Sequence, residues 1–179
     1  MKKIVQLVVS LTVISAVCAA VLATVNAVTK EQIATIKERA TQNAARLVMP
    51  KSARDVEPAG EGMFAGKGAS GKAVAYAVIG RSSKGYGGDI ALMVGFTPDF
   101  QIVTYQKLEA SETPGLGSNL SSPGFMKQFK GMPAARNIAV SKDGGEVEAI
   151  TSATITSRAV CGAINAARAK LQSSLAAGK

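Results

Sequence analysis

From Ile4 to Val28 the chain runs for 25 residues without a charged side chain, as IVQLVVSLTVISAVCAAVLATVNAV. At about 1.5 Å rise per residue, a helix of this length spans roughly 37 Å, more than the roughly 30 Å hydrocarbon layer of a bilayer. Gln6, Ser10, Thr12, Ser15, Thr24 and Asn26 are tolerable in such a helix, especially near its ends or against another helix, so the stretch is expected to cross a membrane. Lys2 and Lys3 precede it and, by the positive-inside tendency, keep that side cytoplasmic and send the remainder outward. Val25-Asn26-Ala27 resembles a signal cleavage site. The apolar run is longer than the usual signal core of about 7 to 15 residues, however, and continues into a further helical pattern, which favours an uncleaved anchor. Val17 before Cys18 argues against a lipoprotein. Residues 1–28 are therefore predicted to be an N-terminal anchor and the rest an extracytoplasmic domain, single-pass in the cell inner membrane.

The remaining 151 of 179 residues suffice for one domain with its own core, but not comfortably for two. The formal net charge is +9, yet the bases are scattered and form no zinc-finger or RNP pattern, so no nucleic-acid partner is expected. The chain has no histidine and two cysteines, Cys18 and Cys161. This excludes a His-based metal site, a Ser-His-Asp or Cys-His nucleophile and a disulfide framework, and no metal ligands are assigned.

Helical periodicity places Ile33, Ile36, Ala40, Ala44 and Leu47 on one face, so residues 29–50 read as a stalk or first helix that Pro50 ends. Residues 51–179 are the expected domain. Lys51–Gly71 reads as loop with at most a short strand. Ala73–Gly80, Ile90–Phe96 and Gln101–Leu108 read as strands of an antiparallel sheet. Pro123–Lys130 reads as a short helix, and Ile138–Val140 with Val147–Ile150 as a hairpin about a Gly-Gly turn. A final helix is expected from about Ser157 to Leu171. Terminal helices around a central sheet define an α+β domain.

Three segments stand out as candidates for chemistry. Gly85-Tyr86-Gly87-Gly88 joins two strands and reads either as a glycine-rich hairpin or as a close backbone approach to a ligand; it is neither a Walker loop nor a dinucleotide fingerprint. Glu112-Thr113-Pro114-Gly115-Leu116-Gly117 reads as a rigid turn with backbone N–H groups free for a ligand. The third, Glu148 to Ser157, carries five hydroxyl residues in seven positions, Thr151, Ser152, Thr154, Thr156 and Ser157. A helix N-cap by Thr156 or Ser157 uses one hydroxyl. A phosphate beside a helix N-terminus uses several, together with free N–H groups and the dipole.

In their order after one apolar helix, GYGGDIALMVGF, ETPGLGSNL and KDGGEVEAITSATITSRAV resemble the G subunit of the Rnf electron-transport complex, a family related to the C subunit of the sodium-pumping NADH:quinone reductase. The resemblance covers essentially the whole chain. It implies a small antiparallel-sheet FMN-binding domain with flanking helices, and FMN joined through its phosphate to a threonine hydroxyl. The family pattern is an acid, two residues, Ser or Thr, Gly, Ala and the modified Thr. Laid on this chain it selects Glu148, Thr151, Ser152, Ala153 and, as acceptor, Thr154, with Thr156 the nearest rival. Glu148 departs from the usual Asp and Ser152 from the usual Gly, a position that tests whether positive φ is required. Ala110 stands where relatives often have histidine. The resemblance further implies that Gly85, Tyr86, Gly87, Gly88, Glu112, Thr113, Gly115 and Leu116 line the flavin. It implies that a separate flavin transferase loads it, and that other membrane and iron–sulfur subunits are the partners. The implied function is electron transfer by a non-autonomous redox subunit, within a complex that couples ferredoxin and NAD to sodium or proton movement. A stand-alone membrane-anchored flavoprotein carrier and an unmodified extracytoplasmic binding domain are the two alternatives.

Overall fold

The computed structural model describes residues 2–133 and 137–177. Contacts divide the chain into two units, Met1–Ala40 and Thr41–Lys179. The first lies within helix α1, Lys2–Val48, which runs uninterrupted, so the expected anchor and stalk are one helix. Its apolar part has a mean hydropathy of 2.4 over an 18-residue window, long and apolar enough to cross a membrane. Leu7, Leu11 and Leu22 are among the side chains it leaves exposed. Buried Ala44, Ala45 and Val48 near its end belong to the second unit.

That unit is built on five antiparallel strands in the order β1-β2-β3-β4-β5: β1 Asp55–Gly60, β2 Met63–Lys67, β3 Ala73–Ser82, β4 Ile90–Phe96 and β5 Ile102–Glu109. The three strands expected from the sequence form. Lys51–Gly71, read as loop with at most a short strand, supplies two strands, the hairpin β1–β2. β1 hides from periodicity because almost every residue in it is exposed and Pro58 interrupts the pattern.

β4 is buried along its whole length, which is why IALMVGF shows no alternation. Ile90, Leu92, Val94 and Phe96 enter one core cluster, with Val160, Ile164, Ala167 and Leu171 of helix α3, Thr154–Ala177. Met93 enters a second, with Ala44, Ala45, Val48 and Met49. Each fully buried side chain of this size contributes about 1.5–3 kcal/mol. Two glycines let backbone touch backbone across these faces. A Cβ on Gly80 would stand 1.9 Å from the Ala163 carbonyl oxygen, and one on Gly95 would stand 2.0 Å from that of Val48.

Helix α2, Pro123–Lys127, leads into Phe129, which meets Tyr105 edge-on at 5.4 Å and Phe125 at 5.3 Å. The buried Tyr105 hydroxyl donates to the Leu120 carbonyl, and burial pushes its pKa well up. Cys161 is buried in the same cluster, and burial pushes its thiol up to about 12.

The hairpin expected over 138–150 does not form. Val140 and Val147 instead make one isolated parallel bridge, because a 3-10 turn at Ser141–Asp143 and left-handed Gly144 return the chain in the same sense. The backbone that a second strand would use is taken by side chains. Asn165 accepts from the Ile138 N–H (3.0 Å) and donates to the Ile138 carbonyl (2.8 Å). Gln128 does the same for Glu148, at 2.7 and 3.1 Å.

Candidate functional site

Helix α3 starts at Thr154, three residues before the expected position, so neither Thr156 nor Ser157 is its N-cap. The Ser157 hydroxyl donates to the Ala153 carbonyl (3.0 Å) and accepts from the Ile150 N–H (2.9 Å), and is itself buried. The Thr156 hydroxyl, 1% exposed, donates to Oε2 of Glu112 at 2.7 Å. Two of the five clustered hydroxyls are thus committed inside the fold. Thr154 is half-buried, while Thr151 and Ser152 are exposed. Among the described residues no backbone acceptor takes the N–H groups of 154–156; a first helical turn leaves these donors free.

Ser152 has φ 61°, one of two positive-φ non-glycine residues described. The position where the resemblance expects glycine thus lies in the left-handed region in this chain, and serine occupies it at a cost of about 1 kcal/mol or more. The turn carries Ala153 inward, with its N–H on the Ile150 carbonyl at 2.9 Å, and sets Thr154 at the mouth of a cavity.

That cavity, of about 490 Å³, is lined by Tyr86, Glu112, Thr113, Leu116, Gly117, Ser152, Ala153, Thr154, Ile155 and Thr156. Tyr86, Leu116 and Ile155 are 71%, 42% and 49% exposed, an apolar rim of the kind that receives a flat aromatic group. Leu116 and Ser152 also border an adjoining groove with Gly115, Gln128, Glu148 and Thr151. Eight of the fourteen residues singled out from sequence meet at the cavity, and Gly115, Glu148 and Thr151 lie on the groove.

The glycine loop behaves differently from a ligand cradle. A Cβ on Gly87 would stand 1.7 Å from the Ser111 carbonyl oxygen, and one on Gly85 would stand 2.3 Å from that of Gly88. Its close approaches are to the chain's own backbone. The Gly87 N–H donates to Oε1 of Glu112 at 3.3 Å, which ties the loop to a residue of the cavity lining. In the turn at 112–117, expected to offer free N–H groups, two of them are taken within the chain. Ser118 Oγ accepts from the Gly115 N–H at 2.9 Å and the Thr113 carbonyl from Leu116 at 3.2 Å. Gly115, at φ 76°, provides the left-handed step in that turn.

Three contributors escape sequence reasoning, and a fourth, Gly117 of the candidate turn, has a role that the sequence does not show. Ile155 follows the predicted acceptor as an exposed isoleucine among hydroxyls, a legible but weak signal. Gly117 lets the Glu112 carboxylate lie close, since a Cβ there would stand 2.4 Å from Oε2. Gln128 and Asn165 hold the segment from positions distant in sequence, and no local pattern reveals them.

A cavity with an apolar rim, beside a helix N-terminus and a half-buried threonine, has the chemistry that suits a phosphorylated aromatic group. The family model that matches residues 85–169 is an FMN-binding domain. The chain is 36% identical, over 93% of each sequence, to the G subunit of the ion-translocating oxidoreductase complex of Methanosarcina acetivorans. It is 34% identical to the G subunit of the Na(+)-translocating ferredoxin:NAD(+) oxidoreductase complex of Acetobacterium woodii, covering 86% of this chain and 84% of that one. Among solved structures, Shewanella oneidensis NqrC matches 62% of this chain and 60% of its own, with 26% identity and a TM-score of 0.48. The chain belongs to the family of G subunits of ion-translocating oxidoreductase complexes.

Proposed function

We propose that this chain is the covalent-FMN electron relay of an ion-translocating complex, with the flavin joined through its phosphate to Thr154 Oγ1. One observation carries the assignment. Of the two threonines at the helix start that line the cavity, Thr156 is buried and hydrogen-bonded to Glu112, while Thr154 is half-buried; Ser157 is buried and bonded within the fold. Free N–H groups and the helix dipole favour a phosphate at that point. Leu116, Ile155 and Tyr86 supply apolar surface for the ring, and Glu112 fixes the loops around it. The bound flavin supplies the electron transfer; the protein positions it and excludes water.

Attachment is a phosphoryl transfer for which a flavin transferase is the catalyst. Thr154 Oγ1 would hold FMN as a phosphoester made at the expense of the P–O–P linkage of FAD, with AMP as the leaving group and the threonine proton lost to solvent. An extracytoplasmic domain has little access to the cytoplasmic flavin pool, so a covalent bond suits its setting. Lys2 and Lys3 keep their end of the helix cytoplasmic. With two cysteines in all, the chain has no set of ligands for an iron–sulfur cluster of its own, so electrons arrive from and leave to other membrane and iron–sulfur subunits.

Intact mass after co-expression with the flavin transferase tests the reading. The wild type should gain the mass of FMN less water, Thr156→Val should still gain it, and Thr154→Ala should not. An unmodified wild type, or a modified Thr154→Ala, overturns it.

A further inference from the structure

We propose that Glu112 lowers the midpoint potential of the flavin held at Thr154 by fixing a negative charge against its cavity; this rests on the attachment just proposed. Among the described residues lining the cavity, Glu112 is the one carboxylate, and no lysine or arginine is present, although the chain as a whole is +9. The local sign is therefore opposite to that of the molecule.

The carboxylate is held in place rather than waving in solvent. Oε2 accepts from the buried Thr156 hydroxyl at 2.7 Å and Oε1 from the Gly87 N–H at 3.3 Å. Gly117 provides the space, since a side chain there would meet both Oε2 and the Thr156 hydroxyl. Among the described residues no salt bridge to Glu112 offsets its charge. Half-burial beside Leu116 and Ile155 weakens solvent screening, so a charge here acts more strongly than on an open surface. The phosphate end of the cofactor has the α3 N-terminus to balance it, whereas the ring gains negative charge on reduction with no cation on the cavity wall. Reduction is disfavoured and the potential falls. Glu112 is on this view a positioning and tuning residue that acts through its two hydrogen bonds and its field.

The test uses the full chain, co-expressed with the flavin transferase. Intact mass gives the fraction flavinylated, and spectroelectrochemical titration of that fraction gives the midpoint potential. Glu112→Gln keeps the shape and removes the charge, so its potential should move positive. Glu112→Asp keeps the charge and should remain closer to wild type. Thr113→Lys places a cation on the same cavity wall, should also move the potential positive, and carries the test alone where Glu112→Gln is not flavinylated. Unmoved potentials in both charge-changing variants, or an Asp variant that shifts as far as the Gln variant, overturn the inference while the attachment stands. A wild type that gains no mass overturns the attachment, and this inference with it.

Discussion

β3 and β4 pair over seven consecutive residues from Tyr76–Phe96 to Ser82–Ile90, whereas residues 137–153 have one parallel bridge and depend on the side chains of Gln128, Asn165 and Ser157. In the sheet the backbone satisfies itself, and each side chain is free to pack. In the segment that leads to Thr154, two side-chain amides supply the donor and acceptor that a neighbouring strand would otherwise give. The sheet is therefore tolerant of many single replacements and sensitive to volume. The segment is tolerant of volume and sensitive to the identity of a few polar residues.

The largest effect is expected in the sheet, where α3 lies on β3. Gly80→Ala should destabilise the domain by about 3 kcal/mol, because a methyl group forced into a filled site costs about 1–3 kcal/mol and here meets backbone; denaturant unfolding measures it. Asn165→Ala comes next, at about 2 kcal/mol, since the N–H and carbonyl of Ile138 lose their partners away from free access to water. Gln128→Ala should cost less, about 1 kcal/mol on the same grounds, because Glu148 is exposed and water replaces the lost bonds. Hydrogen exchange confined to residues 137–150 would sharpen the contrast, and a global loss of protection would break it.

Ser152→Gly should act in the opposite direction, stabilising the domain by about 0.5–1 kcal/mol by relieving the left-handed serine, as read from thermal unfolding.

The smallest effect is electrostatic. Arg158 donates two 2.7 Å bonds to Asp143, which holds the Asp143 carboxyl below its usual range. A carboxyl depressed in the folded state stabilises above its unfolded pKa and loses that contribution as pH falls through the folded one. The stability difference between wild type and Asp143→Asn should therefore be steady near neutral pH and vanish in acid. Because the pair is exposed, salt should shrink it.

The same division decides what the sequence reveals. β4 is legible because seven apolar residues in a row have few other uses, and the register that follows is geometry. The apolar helix is legible for the same reason. β1 is not, since all its residues but Val56 are exposed and carry no pattern. The site is half legible. Side chains with a distinctive chemistry, such as Thr154 among its hydroxyls and Glu112 before a Pro-Gly turn, announce themselves. The need for positive φ at Ser152 follows from a departure at one position. What local sequence does not encode is which hydroxyl stays available, because Glu112 reaches Thr156 across 44 positions. Nor does it encode that Gln128 and Asn165 stand in for a strand.

The Glu112 carboxylate joins loops that lie 25 and 44 residues away along the chain. Bringing such distant pieces together means closing long loops, a late event in the assembly of a small domain. The pocket therefore exists only once the sheet, the 112–117 turn and α3 have all docked. On the orientation and attachment proposed above, this would set an order of maturation: translocation first, folding second, cofactor loading last. A transferase that recognises the finished pocket would pass over chains that stalled on the way, so the bond proposed at Thr154 would also serve as a mark that the domain is complete.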